Sequence, residues 1–298
     1  MKRDRVIALG FFDGVHLGHG ALLRKARHRA DQLGLSACAL TFAAHPDQVL
    51  RGEPVSLLSS VEDRTTLMTG LYDIEEVLVS PFDQAVASMD WELFVEDILI
   101  RQYRARHVVC GHDFRFGSRG AGTPERLREK CADLGLGCDV IAPVQVDGVT
   151  VSSTLIRSLL QEGRTEEANR LLGHPHQLTG QVIHGKGLGR QLGFPTANLP
   201  IPEELLIPAH GVYASKVRLP DGRDIPAVTN VGVRPTFHDH LGTMAEAWLL
   251  DFEEDLYGKT VTLSFYTRLR EERSFSDVNA LKQAVMENAE ETRRYFSL

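Results

Sequence analysis

The sequence predicts an α/β protein of two domains: a parallel sheet wrapped by helices, followed by a small antiparallel β-barrel with a closing helix. Three observations carry this. Short apolar runs alternate with helix-periodic segments through the first half of the chain, as in a parallel sheet covered on both faces. Beyond Gly173-His174-Pro175 the helices give way to short strand-like runs punctuated by Gly, Pro and Asp, the rhythm of a small barrel. The 298 residues hold two cores, since domains usually run roughly 100–200 residues. The boundary falls near residue 174, giving domains 1–173 and 174–298.

Val6-Ile7-Ala8-Leu9 is a buried-strand run closed by Gly10. Phe11-Phe12-Asp13-Gly14 is a tight connection into a helix with apolar Leu22, Leu23, Ala26, Ala30 and Leu33, stopped by Gly34. A strand follows over 35–42, and Pro46 biases His45 away from helix. Ser60 caps a helix over 61–71, and 75–79 is a strand. Phe94, Val95, Ile98 and Leu99 make one face of a helix over 91–103. The strand over 106–110 empties into the polar loop Gly111-His112-Asp113-Phe114-Arg115-Phe116-Gly117. A helix over 124–134 has Pro in its favoured first turn, a strand covers 138–143, and hydroxyls open the helix at Ser152-Ser153-Thr154. Strands are then expected over 178–183, 211–219, 225–231, 244–251 and 261–269. Ser276 caps the last helix, whose apolar face is Val278, Leu281, Val285, Ala289, Thr292 and Phe296.

Composition narrows the function. With 43% apolar and 24% charged residues the chain is globular, and a net charge of -7 argues against a nucleic-acid binder, which needs a basic face. The four cysteines show no CxxC spacing, so no zinc knuckle or redox pair is expected; Cys38 and Cys110 read as buried thiols of a cytoplasmic protein. The apolar run after Arg5 is too short for a signal peptide, and no stretch approaches the ~20 apolar residues of a membrane span.

A strand, a turn and a helix start make an anion site, because free N–H groups and the helix dipole point at the turn. His16 and His19 add donors there. The same pair also fits half of a metal site, although no third ligand is near in sequence, or an ordinary strand-to-helix corner. Ser153, Thr154 and Arg157 read either as a second phosphate grip or as a capped helix with a surface Arg. Gly185, Gly187 and Gly189, with Lys186 and Arg190, form a loop that a ligand can approach closely. It is not a Walker loop, and Pro195 bars the helix of a dinucleotide fingerprint. Thr196 and Asn198 would share one side of a strand, where their neutral oxygens suit Mg²⁺ beside phosphates; both also suit turns. Glu246, in an apolar run, either faces outward or is held for proton work. His238-Asp239-His240 resembles metal ligands but reads as a solvated loop.

These fragments, in this order, resemble the bacterial bifunctional riboflavin kinase/FMN adenylyltransferase (FAD synthetase) family over nearly the whole chain. GFFDGVHLGH, TFAAHP, GHDFRFG and SSTLIR are similar to motifs of its nucleotidyltransferase half; LGHPHQLTGQVIHGKGLGRQLGFPTANL and EAWLLDF with DLYG are similar to its kinase half. The resemblance implies a nucleotidyltransferase-type Rossmann-like domain and a kinase barrel. It implies that riboflavin and ATP give FMN, with Glu246 as base, Thr196 and Asn198 on Mg²⁺, and Gly185–Arg190 over the phosphates. It further implies that FMN and a second ATP give FAD. His16 and His19 would then hold the triphosphate, and Ser153, Thr154 and Arg157 its outer phosphates. Gly10, Phe12, Asp13, Gly18 and Arg270 join the binding set, and Asp113 and Phe114 lie near flavin or ribose. The family usually carries Asn where Phe11 stands, Thr-His where Ala247-Trp248 stand, and Tyr where His176 stands. A phenyl ring lacks an amide's hydrogen bonds. A kinase with an impaired adenylyltransferase half, a flavin- or nucleotide-binding regulator and a flavin-dependent oxidoreductase are therefore the alternatives.

Overall fold

The computed structural model describes residues 3–185, 187–233 and 242–298. The chain divides into two compact units, residues 1–55 with 61–152, and residues 56–60 with 153–298.

In the first unit β1 (Arg5–Leu9), α1 (Leu17–Leu33), β2 (Ser36–Phe42), α2 (Pro46–Arg51), α3 (Val61–Tyr72), β3 (Glu76–Ser80) and α4 (Gln84–Ser88) follow in order. Then come α5 (Trp91–Leu93), β4 (Ala105–Gly111), α6 (Pro124–Asp133), β5 (Gly137–Ile141) and the hairpin β6 (Gln145–Val146) with β7 (Val149–Thr150). The main sheet is parallel, in the order β3-β2-β1-β4-β5. Its order reverses between β1 and β4, and ligands in such sheets bind outside the carboxyl ends of the strands at that switch point. Helix α1 ends as expected, with Gly34 at φ 66 and its N–H on the Ala30 carbonyl. Alternate strand residues feed two cores. Val6, Ala8 and Val109 meet α1 and α3, while Ile7, Val108 and Cys110 meet α6 and the helix after Trp91. That helix continues over Phe94–Gln102 in π register, which the apolar spacing alone did not signal. Helices α2 and α4, of 6 and 5 residues, are too short to show a periodic apolar face. Cys38, Cys110, Cys131 and Cys138 are free thiols.

In the second unit α7 (Ser153–Gln161) and α8 (Thr165–Leu172) precede β8 (His176–Gln181), α9 (Leu188–Leu192), β9 (Ala197–Pro200), β10 (Gly211–Arg218), β11 (Asp224–Val233), β12 (Thr243–Leu249), β13 (Thr260–Glu271) and α10 (Val278–Tyr295). The strands form an antiparallel sheet in the order β8-β13-β10-β11-β12-β9. The Ile183 N–H donates to the Asn198 carbonyl at 2.9 Å, drawing the two edges together into a nearly closed barrel. Ala289 of α10 packs on Val212, Val228 and Leu250. The cap of α10 is Asp277, whose carboxylate accepts from the Asn279 and Ala280 N–H groups; Ser276, expected as the cap, instead donates to Asp277. Val278 is also no part of the buried face, being 52% exposed. A short helix does follow the glycine-rich loop, but α9 makes about one turn and ends at Gly193, φ 94, before Pro195.

His176 is buried and stacks on Phe265 at 5.9 Å. Burial, then the neighbouring His174, lower its imidazole to about 4. Its unfolded value is near 6.5, so the folded state resists protonation. Stability is full above about pH 6.5 and falls between there and about pH 4, by about 3 kcal/mol at most. Denaturant unfolding at pH 7 and pH 4.5 should show this loss in the wild type and a smaller one in His176→Phe; equal losses would contradict it.

Candidate active sites

The first unit builds its site at the end of β1. Phe12 (φ 60) and Val15 (φ 42) both adopt left-handed backbone, costly for side-chain-bearing residues, on the order of 1–3 kcal/mol each. Full burial of both side chains holds them there, with Asp13 and Gly14 in a buried 3-10 turn between them. His16 then caps α1: its Nδ1 accepts from the His19 N–H at 3.2 Å. A neutral His16 therefore carries its proton on Nε2. The two imidazoles stack at 3.6 Å with an 11° tilt. Burial, then His16 and Arg64, hold His19 well below the usual imidazole range. The pair thus offers neutral donors beside a helix N-terminus rather than fixed charges. A Cβ on Gly18 would lie 3.0 Å from the His16 ring, and one on Gly20 would collide with the Tyr72 hydroxyl, so neither position accepts a side chain freely. Gly10 closes β1 and packs on the Phe12 ring.

The loop after β4, the neighbour of β1, carries an 82% exposed Asp113 side chain. Phe114 stacks on Phe116 at 5.5 Å. Ser153, Thr154 and Arg157 open α7, in the second unit, where the Arg157 Nε donates to the Ser56 carbonyl at 2.8 Å.

In the second unit two cavities meet. The first, about 490 Å³, is lined by Gly185, Gly187, Gly189, Arg190, Thr196, Asn198, Glu246 and Tyr257. The second, about 300 Å³, is lined by Phe194, Asn230, Trp248, Arg270, Phe275, Leu281, Val285 and Asn288, again with Gly189, Thr196 and Glu246. Those three residues are the shared wall. Strand register sets this: Glu246 of β12 sits opposite Asn198 of β9 and opposite Asn230 of β11. The Asn198 Nδ2 donates to the Thr196 carbonyl at 3.1 Å, fixing the amide. Arg270 donates through Nε to Asn288 Oδ1 at 3.0 Å and lies over Phe275; burial, then Arg273, lower its guanidinium from the ordinary value. His184 stacks on Tyr257 at 3.7 Å. No group of three or more His, Cys, Asp or Glu suited to a metal occurs among the described residues. Thr196 and Asn198 offer hard, neutral oxygens, which fit a cation that takes its other ligands from phosphate and water. Lys186 and His238-Asp239-His240 lie outside the described residues.

The FAD synthetase family model matches residues 1–155 and the riboflavin kinase model residues 172–296. The bifunctional riboflavin kinase/FMN adenylyltransferase of Bacillus subtilis is 36% identical over 98% of this chain and 92% of its own. The chain belongs to the bifunctional riboflavin kinase/FMN adenylyltransferase family. Its Pseudomonas fluorescens member is 36% identical over 95% of this chain and 90% of its own. A crystal structure described as a macrolide-efflux protein from Streptococcus pneumoniae superposes with a TM-score of 0.85 at 31% identity, covering 98% of this chain and 95% of that one. Among the described residues, no helix is long and apolar enough to cross a membrane.

Sequence reasoning missed Asn230, Tyr257, Phe194 and Asn288. Asn230 was legible as the polar residue in an apolar strand run; the others needed the fold. Because His16 caps α1, His16→Ala should cost about 1 kcal/mol of stability and His16→Asn should restore most of it. Urea unfolding checks this, and equal stability of the two variants would contradict it.

Proposed function

We propose that the protein makes FMN from riboflavin and ATP, and then FAD from FMN and a second ATP. Kinase activity is assigned to residues 174–298 and adenylyl transfer to residues 1–173. The observation that carries the reading is Glu246 at the seam of two unlike cavities. The cavity with Trp248, Phe275, Leu281 and Val285 suits the flavin ring, and the glycine-bearing one suits a triphosphate.

In the kinase step the terminal ribityl oxygen attacks the γ-phosphorus of ATP, Glu246 takes the hydroxyl proton and ADP leaves. Positioning does most of this work. Gly185, Gly187, Gly189 and Arg190 cover the phosphates, and Arg270, oriented by Asn288, serves the flavin cavity. Thr196 and Asn198 would hold Mg²⁺, which supplies charge neutralisation on the phosphate oxygens when bound.

In the second step an FMN phosphate oxygen attacks the α-phosphorus of ATP and pyrophosphate leaves. The turn over Gly10, Phe12, Asp13 and Gly18, with His16 and His19, presents neutral donors to the charge developing there. Ser153, Thr154 and Arg157 are assigned to outer phosphates, and Asp113 and Phe114 to flavin or ribose. Phe11 serves the turn through its carbonyl, which accepts from Thr41 Oγ1 at 2.7 Å, a role any residue's backbone fills. This favours a working adenylyltransferase over an impaired one. Free thiols and small-molecule substrates fit a cytoplasmic setting.

A timed product assay from riboflavin, ATP and Mg²⁺ tests both halves. Glu246→Ala should slow FMN formation by roughly 10²–10⁴ and spare conversion of FMN to FAD, whereas His19→Ala should do the reverse. Equal loss of both steps in either variant would count against separate sites. Asn198→Ala should raise the Mg²⁺ concentration needed for the kinase step alone; an unchanged Mg²⁺ requirement would remove it from the metal site.

A further inference from the structure

The first unit buries a cation that no motif of the sequence marked. Arg64, on α3, is 0% exposed. Its Nη1 donates to the Phe11 carbonyl at 2.8 Å and its Nη2 to the Phe42 carbonyl at 3.0 Å. The guanidinium lies 4.2 Å from the centre of the Phe11 ring, which also meets His45 edge-on at 4.7 Å. Phe11 opens the turn after β1 and Phe42 ends β2, so one planar fork joins two neighbouring strand ends on the sheet's ligand-binding edge. Removing a guanidinium from water costs several kcal/mol. A core needing only volume at this place would take an apolar side chain at less cost.

We propose that Arg64 is a positioning residue for adenylyl transfer, its two-pronged grip on the Phe11 and Phe42 carbonyls setting the turn that carries His16 and His19. The proposal rests on the assignment of adenylyl transfer to this turn. With its carbonyl turned toward Arg64, the Phe11 peptide that opens the turn is fixed in orientation, while the Ala43 N–H after Phe42 donates to the Ser80 carbonyl at 3.0 Å. The fork geometry matters, because a lysine's single ammonium cannot span two carbonyls with parallel bonds. The charge matters as well. The elements packed against α1, the helix that carries His19, bring buried titratable groups from the turn (Asp13, His16), α3 (Asp63, Arg64, Tyr72), β2 (Cys38) and β4 (His107, Cys110). Of these, His16 and Arg64 lower its imidazole. Arg64 therefore helps keep His19 neutral.

Two variants separate fork from charge, each read by steady-state FAD formation from FMN and by NMR titration of the His19 ring. Arg64→Lys keeps the charge. It should leave His19 titrating as in the wild type and raise the KM for ATP in FAD formation about 10-fold or more. Arg64→Met removes the charge and should also shift the His19 titration, and with it the acid limb of FAD formation, to higher pH. Riboflavin phosphorylation should keep its kcat and KM in both. A merely structural Arg64 would lower thermal stability and leave the pH profile and the His19 titration in place, and that result overturns the proposal. So does a wild-type KM for ATP in Arg64→Lys, the arm that decides if Arg64→Met does not fold. If the wild type forms no FAD, the assignment of the turn fails, while the His19 titration still decides whether Arg64 controls that ring.

Discussion

Antiparallel pairing of β12 with β9 and β11 is the constraint on which the kinase chemistry depends. It sets Asn198, Glu246 and Asn230 in one row across three strands. Side chains alternate along a strand, so Ala245 and Ala247 are fully buried while Glu246 and Trp248 face the cavities. A slip of one residue would bury the carboxylate and turn alanines to the ligands. The apolar alternation that stabilises the barrel therefore also aims Glu246 at the cavities. Closure through Ile183 and Asn198 ties the same row to the strand leading into the glycine-rich loop.

The first unit builds its candidate site around a turn rather than along a strand row. Its turn bends through two left-handed side-chain-bearing residues, each locked by burial, and delivers a helix start whose cap is itself an imidazole. One ring spends its Nδ1 on the backbone and stacks the other, so that neither needs a charge to take part. For the adenylyl transfer proposed at this turn, such donors would be in place before the anion arrives, which is how a preorganised environment lowers a barrier.

Much of this was legible in the sequence. Runs such as Val6–Leu9 and 106–110 announce buried strands because a covered parallel sheet needs apolar residues on both faces. Gly34 marks the end of α1, at φ 66. What stayed hidden has physical causes. A charged residue in a helix ordinarily reads as surface, so Arg64 gave no signal. The edge strand β9 is too short to show alternation. Ser276 and Asp277 are both good caps, and only geometry chooses between them. Glu246 lines two cavities whose walls come from residues distant in the chain, so its surroundings cannot be read from its own strand.

A crystal structure of the protein with riboflavin and a non-hydrolysable ATP analogue tests the central claim most directly. The account predicts the flavin ring against Trp248, the triphosphate beside Thr196 and Asn198, and the Glu246 carboxylate within hydrogen-bond reach of the terminal ribityl hydroxyl. Flavin against Tyr257, or both ligands away from Glu246, would contradict it.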